Sequence, residues 1–252
     1  MPVVKLNLDR LQGLVGRNVS KNKIVSKLPF LGLDIEELTK DSVRVEYSPN
    51  RPDYATDFGI AASLQGLLGL KKGQIKLAIK KSNFSIKVDA SVRKVRPYVT
   101  AIVAKNGTLD DETIRQLIVL QEDLHSGTGR KGKKTSIGLH DVDKITFPLL
   151  YTTAPFDHEF IPLDSSEKMS IAKILENTEV GQQYGELINN PKKAPIILDS
   201  DGNTISFPPI INSALSAVTS KTKNILVEVT ALEKSAAEDT LAVVATTLQI
   251  AG

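Results

Sequence analysis

The feature that most constrains this chain is a strongly predicted helix lying between two strand-like segments. The segment DDETIRQLIVLQEDLHSG (110–127) has apolar residues at helical spacing, acidic residues at its start and a glycine at its end. Its predicted buried face comprises Ile114, Leu117, Ile118, Gln121 and Leu124. The segments YVTAIVAKN (98–106) and TSIGLHDVD (135–143) on either side are short and strand-like. This alternation predicts a sheet that carries helices, and therefore a mixed α/β domain.

Two later segments extend this sheet. APIILDSDGNTISF (194–207) has two apolar runs around Asp201-Gly202, a pattern typical of a β-hairpin. NILVEVTAL (224–232) predicts a buried strand, and AAEDTLAVVATTLQIAG (236–252) predicts a final helix. We therefore expect a mixed sheet in the larger, C-terminal part of the chain.

The first third of the chain has its own strand and helix patterns. LDRLQGLVG (8–16) and DFGIAASLQGLLGL (57–70) predict helices, and SVRVEYS (42–48) predicts a half-buried strand. A lysine-rich stretch, KKGQIKLAIKKSN (71–83), then separates this region from the α/β alternation. We predict a small N-terminal α+β domain over residues 1–82 and a larger domain over 83–252, which is an α+β or mixed α/β fold.

Composition excludes several classes of chemistry. The 252 residues contain no cysteine, which excludes disulfides, thiol nucleophiles and cysteine-bound metals. The three histidines lack the close spacing of metal ligands, so no metal site is predicted. With a net charge of only +3, any contact with nucleic acid must come from local clustering. No apolar run approaches the roughly 18 residues of a membrane span, and no signal peptide is seen, so we expect a cytoplasmic protein without membrane contact.

The stretch SGTGRKGKKTS (126–136) nearly matches a phosphate-binding loop. Such a loop follows a strand and precedes a helix, whereas here a helix enters the loop and a strand leaves it. The Ser or Thr that would hold magnesium is also replaced by a lysine. The cluster of basic residues still needs an explanation. It fits a solvated surface loop and a contact with a phosphate backbone equally well. Its members are Arg130, Lys131, Lys133 and Lys134.

Several motifs, taken together and in order, resemble those of one protein family. They are SPNRPD (48–53), LQEDLHSGTGRKGKKTSIGLHDVDKI (120–145), FIPL (160–163) and SFPPIIN (206–212). They resemble the N-terminal region of the phenylalanyl-tRNA synthetase beta subunit of archaeal and eukaryotic type, which includes the editing domain. The resemblance covers essentially the whole chain, although that subunit is longer.

The resemblance implies a small α+β domain followed by an editing domain that hydrolyses mischarged tyrosyl-tRNA(Phe). It also implies tRNA(Phe) as a partner, and the alpha subunit in an (alpha-beta)2 heterotetramer. ATP and magnesium would serve only the whole synthetase, and editing would need no cofactor or metal. Without the alpha subunit, the chain is not expected to aminoacylate tRNA.

The resemblance assigns four residues to an editing site. Glu228 would accept the tyrosyl hydroxyl, Ser206 and Thr230 would position the water or the ester, and Ile197 would form an apolar wall. A buried acceptor left unpaired by phenylalanine can discriminate by roughly 10⁴–10⁵. The family often has leucine where Ile197 stands, and Gly-Thr-Asp where this chain has Ala231-Leu232-Glu233.

Further contacts with the pocket or the tRNA are expected from a second group of residues. They are Gln121, His125, Arg130, His140, Lys131, Lys133 and Lys134. Each of these, like Glu228 itself, also fits an ordinary structural role, such as a carboxylate paired at a strand edge. The main alternative is a non-catalytic tRNA-binding or subunit-scaffolding module with weakened editing, which the changed segment after Thr230 keeps open. An unrelated hydrolase is disfavoured because no G-x-S-x-G motif is present.

Overall fold

A computed structural model describes residues 1–188, 190 and 192–252, which divide into two compact units. The first unit comprises Met1–Ala78, Glu112–Gly127 and Val243–Gly252, and the second comprises Ile79–Asp111 and Thr128–Ala242. The first segment of the first unit ends at Ala78, four residues before the predicted boundary at 82. The chain later returns to the first unit twice. The division into domains at residue 82 stays a prediction.

The helices and strands follow one another much as the sequence patterns predict. The helices are α1 (Leu8–Val15), α2 (Lys21–Lys27), α3 (Asp57–Leu67), α4 (Asp111–Ser126), α5 (Ile171–Asn177), α6 (Glu179–Tyr184) and α7 (Lys234–Ala251). The strands are β1 (Val3–Asn7), β2 (Asp34–Leu38), β3 (Ser42–Glu46), β4 (Ile86–Val88), β5 (Tyr98–Ala104), β6 (Thr135–Asp141), β7 (Leu149–Pro155), β8 (Glu159–Phe160), β9 (Met169–Ser170), β10 (Lys193–Leu198), β11 (Thr204–Phe207), β12 (Ile211–Asn212) and β13 (Ile225–Ala231).

The first unit is built on a three-stranded antiparallel sheet in the order β1-β3-β2. Side-chain caps fix where its helices begin. The Asn7 side chain accepts hydrogen bonds from the first turn of α1, and Ser20 and Thr56 do the same for α2 and α3. These caps satisfy backbone N–H groups that have no partner inside the helix.

Helix α4 belongs to the first unit because its polar side chains contact that unit. The Gln116 Oε1 accepts from the backbone N–H of Asp57 at 2.9 Å, and the Tyr47 hydroxyl donates to Asp123. Gln116 is therefore buried, while Ile118 is 47% exposed. The predicted buried face is confirmed at Leu117 and Leu124 and is wrong at Ile118, because the packed side of the helix includes the hydrogen-bonded Gln116 instead.

The second unit contains a five-stranded and a three-stranded sheet, besides the strand pair β8-β9. A five-stranded sheet has the order β12-β11-β10-β7-β4 and is mixed, since β4 runs parallel to β7 and the other pairs are antiparallel. A three-stranded antiparallel sheet has the order β5-β13-β6. One apolar cluster joins the two sheets, with Tyr151 and Ile197 from the first and Leu226 from the second. The expected α+β fold with a mixed sheet is confirmed.

The hairpin predicted around Asp201-Gly202 is formed by β10 and β11. Gly202 has a φ of 83°, a left-handed conformation that glycine adopts without steric cost. Within the described part of the chain, no helix is long and apolar enough to cross a membrane.

A stability test follows from two glycines of α3. A Cβ on Gly59 would overlap the carbonyl oxygen of Asp53, whereas a Cβ on Gly66 would meet nothing within 4 Å. We expect Gly59→Ala to lower the free energy of unfolding by about 1–3 kcal/mol, because the backbone must move. Gly66→Ala should raise it by up to about 1 kcal/mol, since alanine favours the helix. Urea titrations of both variants measure this, and equal effects would contradict the close approach at Gly59.

Candidate functional site

The candidate site is centred on Glu228, which lies in the middle of β13. Strand β13 is flanked by β5 and β6, and Glu228 is paired with Ala101 on one side and Gly138 on the other. The Glu228 side chain is 1% exposed. Because β13 is the central strand of its sheet, the alternative that Glu228 is paired at a strand edge is wrong.

Two polar side chains, Ser206 and His140, lie beside the Glu228 carboxylate, and each has a further polar partner. The Ser206 hydroxyl lies 3.1 Å from both Glu228 Oε1 and Asn212 Oδ1. The His140 Nε2 is 3.8 Å from Glu228 Oε1, and its Nδ1 is 2.8 Å from the Ser216 hydroxyl. The structure thus brings together Glu228, Ser206 and His140, which the sequence placed on three separate segments.

Two atoms of this cluster have no hydrogen-bond partner among the described residues. They are Glu228 Oε2 and His140 Nε2, and both are fully buried. Leaving a buried polar atom unpaired costs free energy, so most such atoms in folded proteins are satisfied. Glu228 Oε2 can therefore accept a hydrogen bond from a hydroxyl that enters the cluster, and His140 Nε2 can form a second polar contact with it.

Gly138 provides the space for the cluster. A Cβ at this position would lie 2.5 Å from both Glu228 Oε1 and His140 Nε2, and 3.1 Å from Asn212 Oδ1. No side chain fits there without displacing the carboxylate. Sequence reasoning missed Gly138, although a glycine inside the strand pattern of IGLHD is a signal of close approach.

Thr230 lies two residues beyond Glu228 and is bound by a buried arginine. Arg96 donates from Nε to Thr230 Oγ1 and from Nη2 to the Thr230 carbonyl, each at 2.9 Å. Because the hydroxyl oxygen accepts, the Thr230 hydrogen remains available as a donor. Burial lowers the pKa of Arg96 to about 10, so the guanidinium is still charged at neutral pH. Sequence reasoning missed Arg96, since no local pattern marks it as buried.

Ile197 is fully buried in the apolar cluster that joins the two sheets. It is paired with Ser206 across the β10–β11 hairpin. Its surroundings are apolar, in keeping with the wall expected of it. Its contact with a substrate stays a prediction.

The basic loop folds tightly between α4 and β6. Arg130, Lys131 and Lys133 are exposed, and Lys134 pairs with Glu233 at 3.1 Å. Arg130 and Lys131 have φ values of 50° and 56°, a left-handed region that is costly for residues other than glycine. The predicted tRNA contact of this loop stays a prediction.

Gln121 and His125 lie on α4, which belongs to the first unit. The contacts expected of them with a pocket or with tRNA stay predictions. A cavity of about 270 Å³ opens in the second unit, with Arg96 and Lys133 in its lining. No group of three or more His, Asp or Glu side chains that could hold a metal ion is found among the described residues.

Comparison with solved structures identifies the family. The fold matches an N-terminal fragment of the phenylalanyl-tRNA synthetase beta subunit from Pyrococcus horikoshii with a TM-score of 0.92 and 32% identity, over 99% of this chain and 74% of that one. The chain belongs to the family of phenylalanyl-tRNA synthetase beta subunits. A family model described as a B3/4 domain also matches residues 112–245. The family expected from the motifs is confirmed.

Two curated relatives show how much of a beta subunit is present. The phenylalanine–tRNA ligase beta subunit of Methanosphaera stadtmanae is 39% identical over 98% of this chain and 44% of its own length. The corresponding subunit of Archaeoglobus fulgidus is 41% identical over 93% of this chain and 43% of its own length. The chain therefore spans less than half the length of these beta subunits.

The role of Gly138 can be tested with a matched glycine. Gly138→Ala should lower the free energy of unfolding by about 1–3 kcal/mol and displace Glu228, because the added methyl overlaps the cluster. Gly107→Ala is the control, since its Cβ would meet the Lys223 carbonyl oxygen at an ordinary 3.7 Å. Urea titration reports stability, and NMR of the His140 ring reports the cluster. An unchanged His140 signal in Gly138→Ala would contradict the packing described here.

Proposed function

We propose that this part of the beta subunit hydrolyses mischarged tyrosyl-tRNA(Phe) and releases tyrosine and free tRNA. The observation that supports this most directly is the unpaired Oε2 of Glu228, buried beside Ser206. A tyrosyl hydroxyl donates to this oxygen and restores its missing hydrogen bond. Phenylalanine cannot, so it would leave a buried acceptor unsatisfied.

His140 strengthens this selection. In the tautomer in which the Ser216 hydroxyl donates to Nδ1 rather than to the Ile205 carbonyl oxygen 3.5 Å away, the Nε2 atom carries the proton and faces the cluster as a donor. One tyrosyl hydroxyl then donates to Glu228 and accepts from His140, and both unpaired atoms gain a partner. This geometry explains why two buried atoms lack partners at the same place.

The chemical step needs little beyond positioning. A water oxygen attacks the ester carbonyl carbon, the bond from that carbon to the ribose oxygen breaks, and the ribose oxygen takes the proton. The Thr230 hydroxyl, held by Arg96, donates to the oxygen on which charge develops. Ser206 orients the substrate beside Glu228. An activated ester is hydrolysed in this way without a strong nucleophile.

A second candidate function is a non-catalytic tRNA-binding or subunit-scaffolding module with weakened editing. The observation that favours it is the 1% exposure of Glu228, since a tyrosyl ring enters only if neighbouring side chains move. The altered segment after Thr230 supports it as well, because Glu233 pairs with Lys134 of the basic loop.

The partners proposed for the whole enzyme follow from the family. They are tRNA(Phe) and an alpha subunit in an (alpha-beta)2 heterotetramer in the cytoplasm. ATP and magnesium would serve aminoacylation by that assembly and not the hydrolysis proposed for this chain.

Deacylation of two substrates tests the proposed editing. We expect the chain, or the synthetase that contains it, to release tyrosine from tyrosyl-tRNA(Phe) faster than phenylalanine from phenylalanyl-tRNA(Phe). Glu228→Gln should reduce that preference at least tenfold, because an amide is a weaker acceptor than a carboxylate. Radiolabelled amino acid release measures both rates.

Glu238→Gln is the matched control, since Glu238 is exposed on α7. It should leave both rates unchanged. Release of tyrosine no faster than in buffer, in the full heterotetramer as well, would favour the non-catalytic alternative. An unchanged preference in Glu228→Gln would remove Glu228 from recognition.

The basic loop gives a separate prediction for tRNA binding. Replacing Arg130 and Lys131 together by glutamine should weaken tRNA(Phe) binding and flatten its dependence on salt, because fewer counterions are released. Lys168 and Lys173, exposed in the same unit, are the matched pair for control substitutions. Fluorescence anisotropy over a range of salt concentrations measures both effects. Equal salt slopes for the two double variants would mean that the loop is only a solvated surface.

A further inference from the structure

Strand β2, in the first unit, has an apolar face that the unit leaves uncovered. Among the described strands it pairs only with β3, so it forms an edge of its sheet. Ile35 is opposite Val45, and Leu38 is opposite Val43. Directly opposite residues lie on the same face of a sheet, and both valines are fully buried on that face. Ile35 and Leu38 nevertheless remain 38% and 55% exposed, so the apolar face extends beyond the core that covers it.

The same strand carries three exposed carboxylates. Glu36 pairs with Arg44 at 3.1 Å, whereas Asp34 and Glu37 form no ion pair with any residue that the structure describes. An edge strand also leaves backbone N–H and C=O groups unpaired, and these can bind a further strand. β2 is therefore complementary to an extended segment that is apolar on one face and basic on the other.

A segment of that kind is present in the lysine-rich stretch after α3. KKGQIKLAIKK (71–81) has five lysines and no acidic residue. Its apolar residues Ile75, Leu77 and Ile79 recur at every second position, which is the period of a half-buried strand. All residues of the segment are described, yet it forms neither helix nor strand. Ile75 and Ile79 are 48% and 69% exposed, so this strand pattern has no partner strand within the chain.

We propose that β2 binds the 71–81 segment of a second copy of this chain as an added antiparallel strand. In the register that places Leu77 opposite Ile35, Lys76 is opposite Glu37, since the bulge in β2 takes up the residue between them. A slip by one residue would place lysine on the apolar face, so this pattern selects the register. The added strand gains backbone hydrogen bonds from the edge, as in other cases of strand addition.

The contacts of the segment in its own copy favour exchange between two copies. The Lys71 N–H donates to the Gln65 carbonyl at the end of α3, and the Ala78 N–H donates to Gln249 of α7 at 3.3 Å. These contacts fix the segment in the first unit without pairing it with β2. Because each copy carries both the acidic strand and the basic segment, two reciprocal pairings close a twofold dimer.

Reciprocal charge reversal tests the proposal by analytical ultracentrifugation. The strand variant combines Asp34→Lys with Glu37→Lys, and the segment variant combines Lys76→Glu with Lys80→Glu. We expect the unaltered chain to dimerise as its concentration rises, and each variant alone to dimerise at least tenfold more weakly. An equimolar mixture of the two variants should recover dimers, because one pairing is then unaltered and the other has both charges reversed.

Glu167→Lys with Glu176→Lys is the matched control, since both residues are exposed in the second unit and the change in net charge equals that of the strand variant. It should dimerise like the unaltered chain. A chain that stays monomeric at every concentration would overturn the proposal, and the carboxylates of β2 would then serve only to protect the edge. Dimers that persist in both variants, or a mixture that does not recover them, would overturn it as well.

A synthetic peptide with the sequence of residues 71–81 makes the test independent of whether the variants fold. It should shift the amide NMR signals of Ile35 and Leu38 in the unaltered chain and dissociate the dimer. A peptide with both isoleucines replaced by serine is the control and should bind at least tenfold more weakly. Equal shifts with the two peptides, or none with either, would contradict strand addition at β2.

Discussion

The burial of the Glu228 carboxylate is the constraint on which the second unit depends. Removing a carboxylate from water costs several kcal/mol unless nearby groups compensate. On the central strand β13, that compensation comes from Ser206, while Gly138 leaves the space that the carboxylate needs. The hydrogen bond between Ser206 on β11 and Glu228 on β13 joins the two sheets beside their shared apolar cluster. The fold and the candidate site are fixed by the same contacts.

A second buried charge, Arg96, organises the neighbouring part of the site. It holds both the hydroxyl and the carbonyl of Thr230, and it also donates to the backbone of the basic loop at Lys133. The Tyr151 hydroxyl in turn donates to the Arg96 carbonyl at 2.7 Å, and burial raises the pKa of that hydroxyl. One side chain thus connects the strand that carries Glu228, the loop rich in lysine and the cavity that lies beside them.

The interpretation of the basic loop depends on the elements that precede and follow it. Its spacing of glycine and lysine resembles a phosphate-binding loop, but α4 enters it and β6 leaves it. No helix N-terminus is therefore directed at a ligand here. Left-handed backbone at Arg130 and Lys131 and the Lys134–Glu233 pair shape the loop instead. The segment Ala231-Leu232-Glu233 is joined to that loop by the ion pair.

The sequence by itself determined the local elements and the family. The helix Asp111–Ser126, the hairpin at Gly202 and the strand with Glu228 follow from patterns within a few residues, because hydrogen bonding and periodicity at that range are local. Only the tertiary structure decided the buried face of α4, the burial of Arg96 and the space at Gly138. Arg96 and Thr230 are 134 residues apart, and such contacts depend on strand register and sheet packing, which no local pattern encodes.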